Sequence, residues 1–484
     1  MKNFLLFVLV CCLPVVTFSQ DVLRLSIKDV IKLSRTQSPK AKRAIVERKN
    51  ANWTYKIHKS NLSPKLTMDA TLPSFSSSVR PITQSDGSTL LHEVSENVAG
   101  IGLQINQPLP FLGAEVFVKS GLNRYDNLMN NTYGYGGSPI EAGINLPLFK
   151  YNRLKWDKKI APIEFEESKL RFYEDMEYST IKAIRLFFDL ALNQKEYSIA
   201  FANTELNRKL YEINKEKFNL GKISKSELLQ VRLMLINSEN RLQSTQQLID
   251  NAELELKSHL GIITNSKVTL YDAPTLPTVF IDSKSAVHKA TKNNSRSLGF
   301  VRRILETERE IAISRGSTGM TGNLYAAFGY ATQFKSFNNI PSKQPKHQRI
   351  ELGLKIPLID WGRSKAVRTK AKIKKELIET EIVQEKIDME REVVVLVNSF
   401  NLLQKQRELI MMSDSLSQER YNISHDRYLV GDISVVELNI AQQEKDAAMQ
   451  QTLNMQRDIW ELYYRIRCIT LFDYLRNEKL GENI

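Results

Sequence analysis

"FNLGKISKSELLQ" (218–230) and "YLVGDISVVELNI" (428–440) are one turn written twice. Gly221, Ile223, Ser224, Glu227 and Leu228 recur as Gly431, Ile433, Ser434, Glu437 and Leu438, always 210 residues on. Each stretch places a glycine where a helix ending calls for a left-handed residue. A serine follows three residues later and a glutamate three after that, the spacing of a capping box that starts a new helix. The pattern predicts a helix–turn–helix tip at two points, half a chain apart.

The register extends outward from the tips. Pro147-Leu148 matches Pro357-Leu358, and Arg153 matches Arg363. Leu192, Gln194 and Lys195 match Leu402, Gln404 and Lys405, and Leu206, Tyr211 and Ile213 match Leu416, Tyr421 and Ile423. A gap-free register of this length implies two copies of one unit. Toward the N-terminus the offset becomes 257, with Ser26, Val30, Lys32 and Ser38 recurring as Ser283, Val287, Lys289 and Ser295. The first copy therefore holds 47 extra residues between about Ser60 and Pro147.

Helical patterning runs from Arg153 to Leu220 and from Arg363 to Val430. Some 65 residues at about 1.5 Å each give roughly 100 Å of helix, which in water needs a coiled-coil partner. The returning arm supplies a seam: Leu228, Leu235, Leu242, Ile249 and Leu256 fall seven apart, with Val231, Ser238, Thr245 and Ala252 between them. The second copy is rougher, through Leu438, Ala441, Ala448, Met455, Ile459, Leu462, Ile466 and Ile469. This period predicts a left-handed supercoil.

Ahead of each long helix the period changes to two. "IGLQINQPL" sets Ile101, Leu103 and Ile105 against Gly102, Gln104 and Asn106, and "EAGINLPL" sets Ala142, Ile144 and Leu146 against Gly143 and Asn145. "RIELGLKIPL" sets Ile350, Leu352, Leu354 and Ile356 against Glu351, Gly353 and Lys355, with "NLYAAFGYATQF" as a candidate partner. Strands of about ten residues alternating in this way are the signature of a transmembrane barrel, although a soluble sandwich alternates likewise. Within the extra residues, "NQPLPFLGAEVFV" reads as strand, glycine turn and strand. It predicts an added hairpin, giving four strands in the first half and two in the second; an external loop or periplasmic flap is the alternative.

Composition and the N-terminus set the compartment. With 484 residues, 42% hydrophobic and 25% charged, the chain is not disordered. Lys2, the apolar "FLLFVLVCCL" and the small-residue "TFSQ" form a signal peptide over 1–20, so the mature chain is exported. Cys11 and Cys12 raise lipid attachment, but Val10 or Cys11 stands where that cleavage wants a small residue, which favours ordinary processing. Cys468 is then the lone cysteine, without a disulfide or metal-cage partner, and reads as a buried helix residue. No other stretch is apolar for 18 residues, so a membrane crossing would use strands. The net charge of +14 is spread along helices and fits solvated faces better than nucleic acid. The six histidines show no His-Glu-x-x-His pattern, "GYGGSP" lies between strands rather than opening a helix, and "QSDGST" reads as a turn. No catalytic constellation, cofactor or metal is expected.

The signal peptide, the doubled helix–β–hairpin plan, the strand endings "NLPLF" and "KIPLID" and the tips "LGKIS" and "VGDIS" resemble the TolC-like outer membrane efflux proteins. The resemblance covers essentially the whole mature chain. It implies a mainly α protein with a transmembrane β-barrel: an internally duplicated homotrimer whose strands close one barrel and whose coiled-coil hairpins form a tapering α/β tunnel. The location would be the outer membrane of a Gram-negative bacterium, with a long periplasmic extension. The function would be a passive, tip-gated exit duct of a tripartite efflux or type I secretion system. Its partners would be outer membrane lipid, a periplasmic adaptor (membrane fusion) protein and, through that adaptor, an inner-membrane pump. Six strands per chain would make about 18 in the trimer, against the family's usual 12 or so.

On this plan the signal peptide (1–20) precedes a first repeat, 21–282, and a second, 283–484. The first comprises helix 26–59, β segment 64–149, hairpin 150–260 and an equatorial linker, 261–282. The second comprises helix 283–315, β segment 320–358, hairpin 359–472 and a tail, 473–484. The resemblance assigns adaptor docking to the tips, Leu220, Gly221, Val430, Gly431 and Asp432, and the periplasmic gate to Glu437, with Glu227 at the equivalent first-copy site. Family members often carry a second acidic residue three positions on; Ile440 stands there, so the gate's charge is reduced. A membrane-proximal basic cluster, Arg153, Lys155, Arg363, Lys365 and Arg368, opens the outgoing helices along with Lys150, Lys158, Lys159, Lys370, Lys372, Lys374 and Lys375. It opposes the helix dipole and would meet inner-leaflet phosphates or solvent, or form a positive stripe in the tunnel. The rivals are a periplasmic adaptor, which carries one hairpin as a rule, and a coiled-coil scaffold, which has no use for barrel-like strands.

Overall fold

The computed structural model describes residues 23–84, 86–264, 266–339 and 341–481. The expected signal peptide with Cys11 and Cys12, and the end of the expected tail, lie outside the described residues. In chain order come β1 (Leu23–Leu25), α1 (Ile27–Thr36), α2 (Pro39–Ser60), β2 (Lys65–Thr83), β3 (Thr89–Leu109), β4 (Ala114–Asn127) and β5 (Thr132–Leu148). Then follow α3 (Arg153–Asn219), α4 (Lys225–Leu260), β6 (Val268–Leu270), α5 (Ser283–Asn293), α6 (Ser295–Thr318), β7 (Thr321–Phe334) and β8 (Lys346–Lys355). The chain closes with α7 (Arg363–Leu429), α8 (Val435–Thr470), β9 (Phe472–Asp473) and β10 (Glu478–Lys479). Two compact units result, one from the described parts of Met1–Glu47, Leu170–Asn294 and Asp388–Ile484, the other from Arg48–Lys169 and Ser295–Ile387.

One antiparallel six-stranded sheet, in the order β2-β3-β4-β5-β7-β8, organises the second unit. Four strands precede the first long helix and two precede the second, the number expected. Registration aligns the alternating residues into continuous faces. Leu66 pairs with Ile105, Ile105 with Val118, Val118 with Ala142 and Ala142 with Phe328. Met68 pairs with Leu103, and Leu324 with Leu352. This apolar face stays open: Met68 is 64% exposed, Ile101 54% and Ile350 81%.

The other face is mainly polar, and its one buried carboxylate is partnered. Thr67 pairs with Gln104, Gln104 with Lys119 and Lys119 with Glu141. Lys119 reaches the buried Glu141 carboxylate at 2.9 Å, and the Tyr325 hydroxyl donates to it at 3.1 Å while its ring stacks on Phe117. A buried carboxylate is tolerated when partnered in this way. The end strands β2 and β8 are paired on one side only among the described residues. Pro73 sits at a register shift in β2 between Thr71 and Ser74, a position open to proline at a sheet edge.

Two helical hairpins of matching dimensions, with 67 residues out and 36 back in each, supply most of the first unit, their outgoing helices beginning in the second. Arg208 to Glu239 (3.2 Å) and Arg241 to Glu196 (3.0 Å) tie α3 to α4. Val30, Phe187, Leu256, Val397, Phe400, Tyr463 and Ile466 share one core. The seam on α4 is where periodicity placed it, but the small positions are the tight ones. Val231, Ser238 and Thr245 are buried, while Leu228, Leu235, Leu242 and Ile249 are half-buried; only at the far end does the order reverse, with Leu256 buried and Ala252 half-buried. Ser238 and Thr245 donate to the carbonyls of Leu235 (2.8 Å) and Leu242 (2.9 Å), so their hydroxyls enter the seam satisfied. Cys468 is buried in α8, as expected.

The single helices expected at 26–59 and 283–315 are each two. Pro39 disfavours helical geometry at Ser38 and itself suits a first helical position, so α1 stops and α2 starts anew. The Ser38 hydroxyl accepts from the Ala41 amide at 3.0 Å. In the second half Asn294 is extended (φ −76°, ψ 145°). The amide groups of Asn293 and Asn294 donate to the carbonyls of Thr470 (3.2 Å) and Ile469 (3.0 Å), satisfying the end of α8. The break serves a neighbouring helix, and periodicity along α5 and α6 carries no sign of it.

A buried ionic knot locks this unit. Arg467 of α8 pairs with Asp473 at 2.5 Å and donates to Glu177 of α3 at 3.2 Å; Arg35 of α1 reaches the same glutamate at 2.6 Å. Burial alone would raise the Asp473 pKa, but the Tyr463 hydroxyl and Arg467 outweigh it and hold the carboxyl below its usual range. Arg467→Met strands buried carboxylates and is expected to destabilise the protein by about 3–5 kcal/mol, read as a lowered thermal midpoint in detergent. An unchanged midpoint would contradict the knot's role. Because its folded pKa is depressed, Asp473 contributes fully at neutral pH, and that stability is lost as pH falls below the ordinary carboxylate value. Asp473→Asn should flatten that acid limb of the midpoint-versus-pH curve.

Candidate functional site

Both hairpin tips close in the same way. The Gly221 amide donates to Phe218 (2.9 Å) and the Lys222 amide to Lys217 (2.8 Å); Gly431 donates to Tyr428 (3.0 Å) and Asp432 to Arg427 (2.9 Å). This double bond pattern with a left-handed residue is a Schellman ending. Gly221 has φ +69° and Gly431 φ +83°, and a Cβ at either would meet nothing within 4 Å. Glycine is needed there for backbone conformation alone. The return helices start at complete capping boxes: Ser224 accepts from the Glu227 amide at 3.2 Å, and Ser434 from the Glu437 amide at 3.3 Å. Each glutamate in turn accepts from its serine's amide, at 3.0 and 3.3 Å. Glu227 and Glu437 are thus helix caps, whatever else they do. Leu220 (70%) and Val430 (81%) stand exposed beside the glycines.

The second tip carries a groove of about 630 Å³ between α7 and α8, lined in part by Arg420, Arg427, Asp432, Glu437 and Ile440. Arg427 pairs with Asp432 at 2.7 Å, and Arg420 with Glu444. Glu437 therefore shares its groove with two ion-paired guanidinium groups, and Ile440 adds apolar wall.

Below the tips the two hairpins are joined. Leu210 of α3, Val231 of α4 and Val435 and Leu438 of α8 form a small core with Tyr421 and Tyr428 against it. The Asn214 amide donates to the Tyr428 hydroxyl at 3.1 Å, and the Asn203 amide to the buried Asp446 carboxylate at 3.1 Å. Burial, then the Asp446 charge, pushes the Tyr421 phenol up. Sequence reasoning missed Asn203, Asn214, Tyr428 and Asp446. The available signal was polar residues on helix faces that also carry the buried apolar positions.

The expected basic cluster is dispersed. Arg153 pairs with Asp157 at 3.1 Å, and Arg368 donates to the Thr318 hydroxyl at 2.8 Å. Lys374 and Lys375 are taken by Glu310 (2.7 Å) and Glu308 (3.2 Å) of α6. Arg363 and Lys365 are exposed without ion pairs among the described residues. Lys155 instead borders a cavity with Lys150 and Arg315. The α6 carboxylates lie more than 60 residues from the lysines they meet, so charge runs along the chain could not reveal the pairing. Among the described residues no group of histidine, cysteine and carboxylate side chains could hold a metal ion, and no helix is long and apolar enough to cross a membrane.

Residues 325–467 match the family model described as outer membrane efflux protein. The fold is similar to the CmeC outer membrane channel of Campylobacter jejuni, at TM-score 0.67 and 14% identity over 94% of this chain and 87% of that one. It is also similar to the outer membrane protein VceC of Vibrio cholerae (TM-score 0.63, 12% identity, 92% and 95% covered). The MtrE outer membrane channel of Neisseria gonorrhoeae, solved in its open state, compares at 0.58 and 13% identity, with 92% and 88% covered. No curated protein matches the sequence. The resemblance to TolC-like efflux proteins is borne out by the matching domain and the common fold, and both agree with the outer-membrane location it implied.

Removing one cap tests the tip geometry. Ser434→Ala should cost about 1 kcal/mol, read as faster amide exchange over the first turn of α8, with Ser224→Ala doing the same for α4. Unchanged exchange in both variants would show that the boxes contribute nothing in solution.

Proposed function

We propose that this chain, which carries an outer membrane efflux protein domain at residues 325–467, is the trimeric outer membrane exit duct of a tripartite efflux or type I secretion system. The observation that carries the reading is the sheet. It holds one exposed apolar face in register across strands, an opposite face that is mainly polar, and two end strands with a free side. In lipid a sheet must leave no edge, and barrel closure by further copies accomplishes that. Three copies of six strands would make a barrel of about 18. The two-repeat division at 21–282 and 283–484 goes with this reading, and the equal hairpins support it.

The duct is passive. The matched domain belongs to a family of efflux conduits rather than enzymes, and transport energy would come from an inner-membrane pump reached through a periplasmic adaptor. The exposed tips, Leu220, Gly221, Val430, Gly431 and Asp432, would meet that adaptor. Glu437 would contribute one carboxylate per chain to a ring at the periplasmic mouth, attracting cations; Arg420 and Arg427 in the same groove are already paired with Glu444 and Asp432 and leave that charge in place. Glu227 caps the first-copy helix. The hydrogen bonds Asn214–Tyr428 and Asn203–Asp446 would hold the hairpins together at rest and part as the gate opens. An adaptor reading accounts for coiled coils but not for two full hairpins with an open-faced six-stranded sheet.

Single-channel recording of purified protein in a planar bilayer tests this directly. Discrete, cation-preferring openings are expected, with the preference weakened by Glu437→Ala. Asn214→Ala combined with Tyr428→Phe should shift the open-to-closed ratio about fivefold for each chain that must open, since one lost hydrogen bond of roughly 1 kcal/mol biases the gate in each chain. Protein that stays soluble without detergent and never conducts would overturn the channel.

A further inference from the structure

We infer that a cationic cavity beside the ends of β5 and β7 binds the phosphate headgroup of an anionic phospholipid, a reading that rests on the channel assignment and extends it. The cavity holds about 780 Å³, within the range of small-ligand sites, and lies entirely within the sheet-bearing unit. Four cations line it, Lys150, Lys155, Arg315 and Lys375, against one carboxylate, Glu308. That carboxylate is already engaged with Lys375 at 3.2 Å. Lys150, Lys155 and Arg315 have no carboxylate at ion-pair distance among the described residues, whereas Arg153, Arg309 and Lys374 nearby each have one. Three like charges converging on one cavity repel each other, and a bound anion relieves that repulsion with charge-assisted hydrogen bonds.

The walls and the position point to a lipid as the source of that anion. Trp156, Phe149 and Met320 contribute apolar surface to the same cavity. Phe149 directly follows the last residue of β5 and is 62% exposed, while Met320 directly precedes β7. The cavity thus opens where the strands end. In a membrane barrel this is the level at which acyl chains give way to headgroups, and where aromatic and cationic side chains anchor. Phe149 is held at φ +60°, a left-handed conformation unusual outside glycine, and this sets the turn that carries Lys150 to the rim. A basic face held by solvent alone has no use for an aromatic and apolar wall beside its cations.

The test is lipid retention by the full-length protein in detergent, counted by native mass spectrometry with phosphatidylglycerol or phosphatidylcholine added to the micelles. Wild type is expected to retain phosphatidylglycerol in preference. Arg315→Gln and Lys155→Gln should each weaken that retention about fivefold, and Arg315→Lys should largely preserve it. Inorganic phosphate should not displace the lipid at millimolar concentration. Equal retention of the two lipids, or variants that match wild type, would overturn the inference. Displacement by inorganic phosphate would replace the lipid site with a simple anion site. Bilayer recordings on the same wild-type preparation separate the two layers. Conducting channels without lipid preference contradict the cavity's role alone, whereas protein that neither conducts nor needs detergent removes the membrane on which the inference depends.

Discussion

Unpaired backbone is the constraint on which the rest depends. β2 and β8 each present a row of amides and carbonyls on one side, and in lipid every such group must find a partner within the protein. Water would satisfy them, but the same sheet exposes a registered apolar face that water disfavours. The proposed membrane barrel, with further copies at the edges, would resolve both conflicts together. Edge prolines such as Pro73 and Pro81 fit strands that join others late and must not pair at random beforehand.

The helical unit meets a different demand, that of keeping very long helices packed while leaving a place for movement. Its broad core is apolar and aromatic and is locked by Arg467, Glu177 and Asp473. Toward the tips the core shrinks to a few residues, and the contacts between hairpins become hydrogen bonds through Asn203, Asn214, Tyr428 and Asp446. Single hydrogen bonds of about 1 kcal/mol each can be exchanged for water far more readily than a packed core can be opened. The gate proposed at the tips would use that gradient.

Much of this was legible in the chain because it is local. The glycine and the serine–glutamate spacing gave both tips and both caps, since turn chemistry depends on residues a few positions apart. Period two gave the strands, and the unequal offsets of the repeat gave the extra hairpin. What escaped depends on distant partners. The break at Asn294 exists to cap a helix almost 180 residues on. The lysines after Arg363 looked like one basic face until Glu308 and Glu310 took two of them. Arg315 gave no signal, being one arginine at a helix end. The α4 seam was placed correctly, but the tight position went to Val231, Ser238 and Thr245 because small side chains permit closer approach than leucine.

Hydrogen–deuterium exchange of the membrane-extracted protein tests edge closure most directly. Closure by neighbouring copies predicts that amides across Lys65–Thr83 and Lys346–Lys355 exchange as slowly as those of β3, which is paired on both sides within the chain. Rapid exchange confined to β2 and β8 would mean that the edges stay open and that the sheet does not close into a barrel.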